Sequence, residues 1–368
     1  MTKVTFEAAT LVDAFKKANI VAPKRGEAFD QSGGIVLEIL PDDSMVIVKA
    51  TNGEIFHMEW VSAEIEGDAA VWRIASSVAA PIIASLPIGS GKEVILEEVK
   101  TGVSSHLAMK AGRTKAKFFL MDTTYYPEWD VFDPAELVPC TDLGGRVAMV
   151  EWCAGLKEAA PLNGINFTGE LIKATDRYRF AITPLKLPGI ETSITVPAGI
   201  LGQVLKQTGD VMVGFTENQM LLMPNDTTQL RVVLYAGDYP TMARLMDRER
   251  PAKVTFKKSE LLDILNRAIL AAPGDRFLLL LMYVGKESIT VKVDGPETAV
   301  LDSIDTPGQA THGRVEIRLT PKMLVDILNN APNETVTMHY DPDDAQRVLY
   351  FDGGSGYEVW MVARRSNE

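Results

Sequence analysis

Two glycine-rich stretches carry residue types that could bind phosphate or act as a nucleophile. GSGKE at 89–93 has the end of a phosphate-binding loop, but that loop needs a glycine five positions before its second glycine and a hydroxyl residue after its lysine. The chain has Leu86 and Glu93 at those places. FDGGSGYE at 351–358 lacks the G-x-S-x-G order of a nucleophile elbow. We therefore predict a helix-to-strand turn at the first stretch and a hairpin turn at the second, with no catalytic role for either.

The remaining chemistry-bearing residues are scattered. The acidic cluster DPDDA at 341–345 could hold a cation, but Asp and Pro between strands are more typical of a turn. Cys140 and Cys153 lack metal-ligand spacing, and we expect two reduced thiols. The four histidines have no ligand spacing either: His57, His106, His312 and His339. The sequence predicts no metal, no cofactor and no catalytic centre.

The bulk composition is that of an acidic globular protein. The chain has 368 residues, enough for two or three domains, and a formal net charge of −12. It has no apolar run of membrane-spanning length and no signal-like N-terminus, so we expect a cytoplasmic protein. The net charge disfavours a nucleic-acid partner only if the charges are evenly spread, because basic residues gathered on one surface can still hold DNA.

An internal repeat indicates the strands and helices that must position any site. KVTFEAATLVDAFKKANIVAP at 3–23 returns as KVTFKKSELLDILNRAILAAP at 253–273, with nine of the 21 paired positions identical. Each copy begins with alternating apolar residues and continues with apolar residues at helical spacing, such as Leu11 and Phe15. The repeat predicts a strand followed by a helix, and the gap between the copies leaves room for a third.

A second unit, a strand followed by a helix and another strand, recurs three times. Its helix leucines stand about 120 residues apart, a spacing that indicates repeated domains. The three copies cover residues 75–98, 196–215 and 319–340, with Leu86, Leu205 and Leu328 as markers.

The first unit has a weaker middle copy at 146–164. There we expect Val147 and Met149 in the strand, and Trp152 and Leu156 in the helix.

A Tyr-Pro pair marks the end of two of the repeats. Tyr126-Pro127 lies in TTYYPEW, and Tyr239-Pro240 lies in AGDYPTM. Proline fixes φ and has no amide hydrogen, so both pairs indicate where a last strand leaves its sheet. Short alternating segments predict about eight strands and two helices in each repeat, including strands at 45–50, 230–236 and 288–293.

These signals predict an α+β protein of three similar domains, each built of antiparallel sheets with helices on one face. The expected boundaries are 1–135, 136–250 and 251–368.

Three stretches, in order and at suitable distances, link the three-domain chain to a known family: KATDRYRFAI at 173–182, YPTMARLM at 239–246 and GYEVWMVARR at 356–365. Together they resemble the bacterial DNA sliding clamp, the beta subunit of DNA polymerase III, and the resemblance covers essentially the whole chain. The departures from the family pattern indicate a divergent member, and one interpretation is that a phage or plasmid carries it. The resemblance implies a non-catalytic head-to-tail homodimer. Its six domains would form a closed ring around duplex DNA and tether the replicative polymerase as a processivity factor.

The resemblance also implies a basic lining of helices that contacts phosphates without reading bases. Each candidate could equally be an ordinary solvated cation. The second helices carry few basic residues, which implies weak contact with DNA. The candidates are Lys16, Lys17, Lys24, Arg25, Lys157, Lys206 and Arg267.

At the subunit interface, Ile269 and Leu270 resemble the family's apolar contacts. A first-domain sheet edge of one chain would pair with a third-domain edge of the next, which removes exposed edges.

The second implied site is a pocket that captures short linear peptides from the polymerase and the clamp loader. An apolar groove bordered by arginines suits a small apolar peptide that ends in Leu or Phe. Without the resemblance, Phe180, Leu245 and Val348 would be read as core residues. The implied pocket residues are Leu162, Thr175, Arg177, Tyr178, Arg179, Phe180, Pro240, Arg244, Leu245, Val348, Trp360, Met361 and Val362.

Two departures fall inside that pocket. Arg177-Tyr178 stands where the family usually has Gly-His, and Trp360-Met361-Val362 stands where it has a tail like Met-Pro-Met. The bulkier side chains predict a narrower pocket or a changed peptide preference.

Two other hypotheses remain beside the ring. A repeat-built enzyme or scaffold would require clustered titratable groups, which the sequence does not offer. A clamp-like protein that does not encircle DNA would persist as a peptide-binding hub.

Overall fold

The computed structural model describes residues 2–23, 33–101, 104–133, 137–190, 192–206, 208–270, 280–294, 298–306, 309–311, 315–343 and 348–363. Lys24, Arg25 and His312 lie outside the described residues. The helices of the described chain are α1 (Ala8–Val21), α2 (Ser76–Ala84), α3 (Leu143–Glu151), α4 (Ile200–Leu205), α5 (Ala243–Met246), α6 (Lys258–Ile269) and α7 (Pro321–Asn330). A short 3-10 helix spans Pro41–Asp43.

The strands from the first part of the chain are β1 (Lys3–Glu7), β2 (Ile35–Leu40), β3 (Met45–Thr51), β4 (Ile55–Ser62), β5 (Glu64–Glu66), β6 (Ala70–Ile74), β7 (Glu93–Thr101), β8 (Ser104–Ala111), β9 (Thr114–Met121), β10 (Val138–Cys140), β11 (Gly164–Phe167), β12 (Leu171–Thr175) and β13 (Arg179–Pro184). Those that follow are β14 (Ile194–Pro197), β15 (Val211–Phe215), β16 (Gln219–Asn225), β17 (Thr228–Val233), β18 (Ala252–Lys257), β19 (Leu280–Val284), β20 (Ser288–Asp294), β21 (Ala299–Asp305), β22 (Val315–Leu319), β23 (Thr335–Tyr340), β24 (Val348–Asp352) and β25 (Glu358–Val362).

The chain folds into two compact units. The first contains Met1–Gly144 and Ile200–Leu234, and the second contains Gly145–Gly199 and Tyr235–Glu368. The division into three domains at 1–135, 136–250 and 251–368 stays a prediction.

The first unit is built on a 13-stranded sheet. Its strand order is β10-β15-β16-β17-β4-β3-β2-β6-β9-β8-β7-β1-β5. All its pairings are antiparallel, and along β3 the side chains of Val46 and Val48 are fully buried, as alternation predicts. Helix α1 packs against α2 and α4, and it buries Leu11 and Phe15 completely.

The second unit contains two antiparallel sheets. The larger has the strand order β14-β11-β12-β13-β25-β24-β23-β18, and the smaller has the order β21-β20-β19-β22. Helices α6 and α7 pack against each other, and α6 also contacts β20 and β21.

Most predicted elements are confirmed. The long repeat forms β1 and α1 in its first copy and β18 and α6 in its last. The strand-helix-strand repeat forms β6-α2-β7, β14-α4-β15 and β22-α7-β23. GSGKE lies in the turn between α2 and β7, and FDGGSGYE forms the hairpin between β24 and β25. The Tyr-Pro pairs follow the last residues of β9 and β17, although β17 ends at Val233, earlier than the predicted strand at 230–236.

The register predicted for the middle copy of the strand-helix repeat, residues 146–164, is wrong. Val147 and Met149 lie in α3 rather than in a strand, and Trp152 and Leu156 lie in the turns after that helix. The strand of this copy is the short β10. Helical periodicity decides the register, because Leu143, Val147 and Val150 recur at i, i+4 and i+7 and are all fully buried.

Candidate functional site

The candidate site in the second unit is built around the tight turn between β12 and β13. The Asp176 carboxylate accepts hydrogen bonds from the backbone N–H groups of Tyr178 (3.0 Å) and Arg179 (2.7 Å). The Thr175 hydroxyl accepts one from the Arg177 N–H (3.1 Å). Arg177 has a φ of 74°, a left-handed conformation that is uncommon outside glycine. The turn therefore holds the side chains of Arg177 and Tyr178 out into solvent, where Tyr178 is 62% exposed.

A cluster of large apolar side chains follows directly from this turn. Phe180, Ile182, Val348 and Trp360 are buried together on one face of the larger sheet. Phe180 lies opposite Trp360 on the neighbouring strand, with ring centroids 5.7 Å apart. Tyr350 lies opposite Trp360 on the other side, at 4.9 Å. Strands β13, β25 and β24 thus present a continuous row of three aromatic rings.

The chain after β17 contributes the second wall of the site. Met242, just before α5, and Leu245, within it, pack against the buried cluster and remain partly exposed. Beside them, Met246 is 39% exposed and Val362 is 36% exposed. We call this set of side chains, from Phe180 and Trp360 out to Tyr178, Met242, Leu245, Met246 and Val362, the apolar patch. A patch of this kind, buried at its centre and open at its margin, is typical of a site that binds a partner.

A single arginine anchors this second wall. The guanidinium of Arg250 donates to the backbone carbonyls of Leu245 (2.5 Å) and Val348 (2.9 Å). It therefore ties the loop after α5 to strand β24. The carbonyl contacts could not be read from the sequence, since they depend on the loop's path and not on any residue pattern.

Two predicted pocket residues face away from the apolar patch. Arg179 directly precedes Phe180, so its side chain points to the opposite face of the sheet. There it donates to Asp176 (2.9 Å from Nε to Oδ2) and to Asp326 (2.8 Å from Nη1 to Oδ2), and it lies over the ring of Trp152. Met361, its cross-strand partner, is 1% exposed. Both residues support the sheet from its helix-covered side and do not line the patch.

Four other predicted pocket residues remain to be placed: Thr175, Leu162, Pro240 and Arg244. Thr175 is buried, and its N–H donates to the Tyr239 hydroxyl (2.9 Å), so it supports the turn from below. Leu162 is half-buried, and its carbonyl accepts from the N–H of Gly155, which also donates to the Thr175 carbonyl. Pro240 is half-buried and Arg244 is exposed on α5.

Sequence reasoning missed four members of the patch, Ile182, Tyr350, Met242 and Met246. Ile182 lies two residues after Phe180, and Tyr350 lies two residues after Val348, so strand alternation places each on the same face as its predicted neighbour. Met242 follows the Tyr-Pro pair and could have been found from its position in that motif. The period of two along β13 and β24 is the signal that would have identified the first pair.

The predicted DNA-facing cations differ in their electrostatic surroundings. Lys16, Lys157 and Lys206 are exposed, and no ion pair joins any of them to another described residue. Lys17 instead pairs with Asp13 (2.7 Å) and Glu59 (2.8 Å). Arg267 on α6 donates to Asp302 on β21 (2.9 Å from Nε to Oδ2). Carboxylates of the same chain therefore largely neutralise the charges of Lys17 and Arg267.

The predicted interface residues, Ile269 and Leu270, lie at the C-terminal end of helix α6. Ile269 is half-buried, and Leu270, just after the helix, is 72% exposed. The neighbouring strand β21 pairs with β20 on one side and with no described strand on the other. Its Leu301 is 71% exposed. An unpaired strand edge beside exposed leucines is a surface that readily accepts another strand.

The described part of the chain holds no group of three or more His, Cys, Asp or Glu side chains that could bind a metal ion. Cys140 and Cys153 are free and buried, and burial raises the pKa of the Cys140 thiol to about 11. Both thiols are therefore protonated and unreactive at neutral pH. Among the helices described, none has the length and apolar character that crossing a membrane requires.

Comparisons with known proteins point in one direction. No protein-family model matches this chain. The "Beta sliding clamp" of Mycoplasma pneumoniae is 25% identical over 212 residues, which span 53% of this chain and 52% of that protein. The matched segment is thus about half the length of this curated relative.

Solved structures match along the full length. The DNA polymerase III beta chain of Streptococcus pneumoniae has a TM-score of 0.82 and 18% identity, and the match covers 100% of both chains. The DNA polymerase III beta subunit of Thermotoga maritima has a TM-score of 0.81 and 19% identity, with 99% of this chain and 100% of that chain covered. The chain has the fold of these beta subunits, the α+β fold that the sequence predicted.

Proposed function

We propose that this protein is a DNA sliding clamp, a non-catalytic homodimeric ring that encircles duplex DNA and tethers the replicative polymerase as its processivity factor. The observation that carries the proposal is the likeness in fold to DNA polymerase III beta chains along the entire chain. Such a protein would act in the cytoplasm, where it would raise the effective concentration of the polymerase at the primer end.

The apolar patch is the proposed docking site for short linear peptides of the polymerase and the clamp loader. Its buried centre, formed by Phe180 and Trp360, offers an aromatic floor for the apolar side chains of a peptide. Arg177 and Arg244 are exposed beside it and suit a peptide that carries a carboxylate. Arg177 already pairs with Glu158 (2.9 Å), so this cation would have to exchange partners.

The proposed dimer joins two sheet edges. One is the free edge of β21, which carries the exposed Leu301. The other is β9, which pairs with β6 only at Leu120 and Met121, so its earlier residues have no described partner on that side. Phe119 on this stretch is 75% exposed. A head-to-tail contact between the two edges would close both sheets and cover both apolar side chains.

The proposed DNA lining rests on exposed cations in helices or just after them. Lys16 projects from α1, and Lys157 and Lys206 follow α3 and α4. Contacts of this kind neutralise phosphates without reading bases, which permits sliding.

One observation favours a second candidate, a peptide-binding hub with the same fold that does not encircle DNA. Lys17 and Arg267, two of the predicted DNA-facing cations, are committed to carboxylates, in a chain of net charge −12. A hub would keep the apolar patch and lose the requirement for a basic lining.

Retention on circular and linearised DNA separates the two candidates. The full chain is loaded on nicked circular duplex with a bacterial clamp loader, and its mass is measured by light scattering. A dimer that stays on circles and runs off linear ends supports the clamp. A monomer, or equal loss from both forms of DNA, would overturn the clamp in favour of the hub.

A further inference from the structure

The turn that organises the apolar patch has a counterpart in the first unit. KATNGEIF at 49–56 matches KATDRYRF at 173–180, with Lys, Ala, Thr and Phe at the same places. Both stretches join the third and fourth strands of a repeat, β3 to β4 and β12 to β13. The shared pattern therefore marks equivalent positions in two copies of one domain.

Three hydrogen bonds between side chains and the backbone recur in the two turns. Asn52 accepts from the backbone N–H groups of Glu54 (3.0 Å) and Ile55 (2.8 Å), as Asp176 does in the other turn. The Thr51 hydroxyl accepts from the Gly53 N–H (3.0 Å), and Gly53 has a φ of 89°, where Arg177 has 74°. The two turns thus have the same conformation, although one has Arg177 and Tyr178 at its tip and the other has Gly53 and Glu54.

The wall after the turn is also repeated. Trp129 follows Tyr126-Pro127 by the same interval at which Met242 follows Tyr239-Pro240. Trp129 packs edge-on against Phe56, with ring centroids 5.0 Å apart, as Met242 packs against the cluster that contains Phe180. The first unit therefore carries the same pairing of a strand phenylalanine with a side chain from the loop after the last strand.

Beside this pair lies an open groove of about 380 Å³. Its apolar lining includes Val36, Val71, Pro127 and the ring of Trp129, and Val71 is 52% exposed. The Nε1–H group of Trp129 is buried and has no hydrogen-bond partner among the described residues. An open groove with an aromatic wall can take one large apolar side chain of an extended peptide.

The charge of this groove is opposite to that of the apolar patch. Glu38, Glu128 and Asp130 line it, and the one cation among its described lining residues, Lys49, already pairs with Glu38. The carboxylates of Glu128 and Asp130 form no ion pair with any described residue. Carboxylates that are free of ion pairs and lie beside an apolar wall favour a basic ligand over an acidic one.

We infer that the groove around Trp129 is a second peptide-docking site, which takes a large apolar residue flanked by Lys or Arg. The two sites of one chain would then hold peptides of different charge. The ligand class rests on the peptide-binding role proposed for the apolar patch, but the groove itself lies wholly in the first unit and can be tested alone.

The test uses two short labelled peptides that carry Leu-Phe, one with lysines on both sides and one with glutamates. Fluorescence anisotropy measures their binding to the full chain and to Trp129→Ala, Glu128→Lys/Asp130→Lys and Leu245→Ala. We expect the lysine peptide to bind the wild type and to lose roughly ten-fold or more in affinity in the first two variants. Leu245→Ala should lower its affinity much less than Trp129→Ala does, because Leu245 belongs to the apolar patch and not to the groove.

The double lysine variant keeps the test valid if Trp129→Ala fails to fold, since Glu128 and Asp130 are exposed. It should also reverse the preference, so that the glutamate peptide binds more tightly than the lysine peptide. The inference is overturned if the lysine peptide does not bind, if the double variant binds both peptides as the wild type does, or if Leu245→Ala alone abolishes its binding. Retention on circular DNA does not depend on these variants, so a failed clamp and a failed groove give different results.

Discussion

Phe180 and Trp360 face each other on neighbouring strands with their ring centroids 5.7 Å apart, although almost half of the chain separates them in sequence. The contact exists because β13 and β25 pair in antiparallel register and join two copies of the repeat in one sheet. Aromatic pairs of this kind contribute about 0.5–1.5 kcal/mol beyond the burial of their area. The same contact also forms the floor of the apolar patch, so stability and recognition depend on the same two rings.

Truncation of Leu245 should remove peptide binding and leave the fold intact. Leu245 packs on the buried cluster but is itself only partly buried, so Leu245→Ala should cost little stability. We expect a loss of roughly 2 kcal/mol in peptide affinity, about thirty-fold. Leu245→Ala combined with Phe180→Ala should abolish binding while the dimer persists. Titration calorimetry with a peptide that ends in Leu-Phe provides the measurement.

Val78→Ala is the matched control for this experiment. Val78 is 54% exposed and lies on α2 in the first unit, so it removes a similar apolar surface at a distant place. Equal peptide affinity in the wild type and Leu245→Ala would show that the pocket has been assigned to the wrong residues.

Arg179 should act on stability and not on peptide affinity. Its side chain is 10% exposed, and it joins Asp176 and Asp326 on the face opposite Phe180. Arg179→Ala leaves two carboxylates without their partner, and we expect the free energy of unfolding to fall by about 2 kcal/mol. Arg177→Ala is the control, since its side chain is 61% exposed and its loss should change stability by less than about 0.5 kcal/mol. A peptide affinity that falls more in Arg179→Ala than the unfolding accounts for would place Arg179 in the pocket after all.

Much of the fold could be predicted because the chain repeats itself. Strand β1 and helix α1 return as β18 and α6, and the pattern of buried residues in each pair is dictated by periods of two and 3.6. The register predicted for the middle copy was wrong. Its helix begins at Leu143, separated by two residues from the short strand β10, and Val147, which was expected in the strand, belongs to the buried stripe of α3 instead.

The site could be predicted only in part. Phe180, Leu245, Val348 and Trp360 do lie together, but Arg179 and Met361 do not join them, because adjacent residues of a strand point to opposite faces. The pairing of Lys17 with Glu59 depends on a contact between α1 and β4 that no local pattern encodes. Spacing along the chain identifies the elements, and the register between distant strands decides which side chains meet.

Loss of the apolar contact after α6 should break the dimer. Leu270 is 72% exposed and Ile269 is half-buried, so both should become covered only when a second copy binds. We expect Ile269→Ala/Leu270→Ala to be monomeric at concentrations where the wild type is a dimer. Light scattering after size exclusion measures the change, and unchanged thermal unfolding of the isolated chain serves as the folding control. A double variant that elutes with the mass of a dimer would move the interface elsewhere.

Removal of the exposed helical lysines should weaken DNA binding in a way that depends on salt. Lys16→Ala/Lys157→Ala/Lys206→Ala should lower the slope of log affinity against log salt by about one for each lost phosphate contact. Lys92→Ala/Lys110→Ala/Lys286→Ala changes the net charge equally but removes exposed lysines that lie in the turn before β7, in β8 and in the turn after β19. Binding to a short duplex across a salt series gives both slopes. The lining assignment fails if the two triple variants have equal slopes.

His57 should make the fold sensitive to acid. Burial, helped by the nearby Lys17 ammonium, lowers the pKa of His57 to about 3 from its ordinary value of 6.5. Between these two values the unfolded chain takes up a proton that the folded chain refuses, so the free energy of unfolding falls by up to about 1.4 kcal/mol for each pH unit of acidification. Glu59, whose Oε2 lies 3.6 Å from His57 Nε2, acts in the opposite direction. Burial raises the pKa of Glu59, so its protonation in the fold favours folding as the pH falls.

The comparison of His57→Gln with the wild type isolates the histidine, because Glu59, Lys17 and every other titrating group are common to both. Denaturant unfolding at pH 7.5 and at pH 5 should show the wild type losing about 2 kcal/mol more than the variant over that interval. The difference should vanish above the ordinary histidine pKa of 6.5, where neither state of the wild type holds the proton. Parallel pH profiles would mean that His57 becomes protonated inside the fold, with Glu59 as its counter-ion, and the buried pair would then be an ion pair in acid.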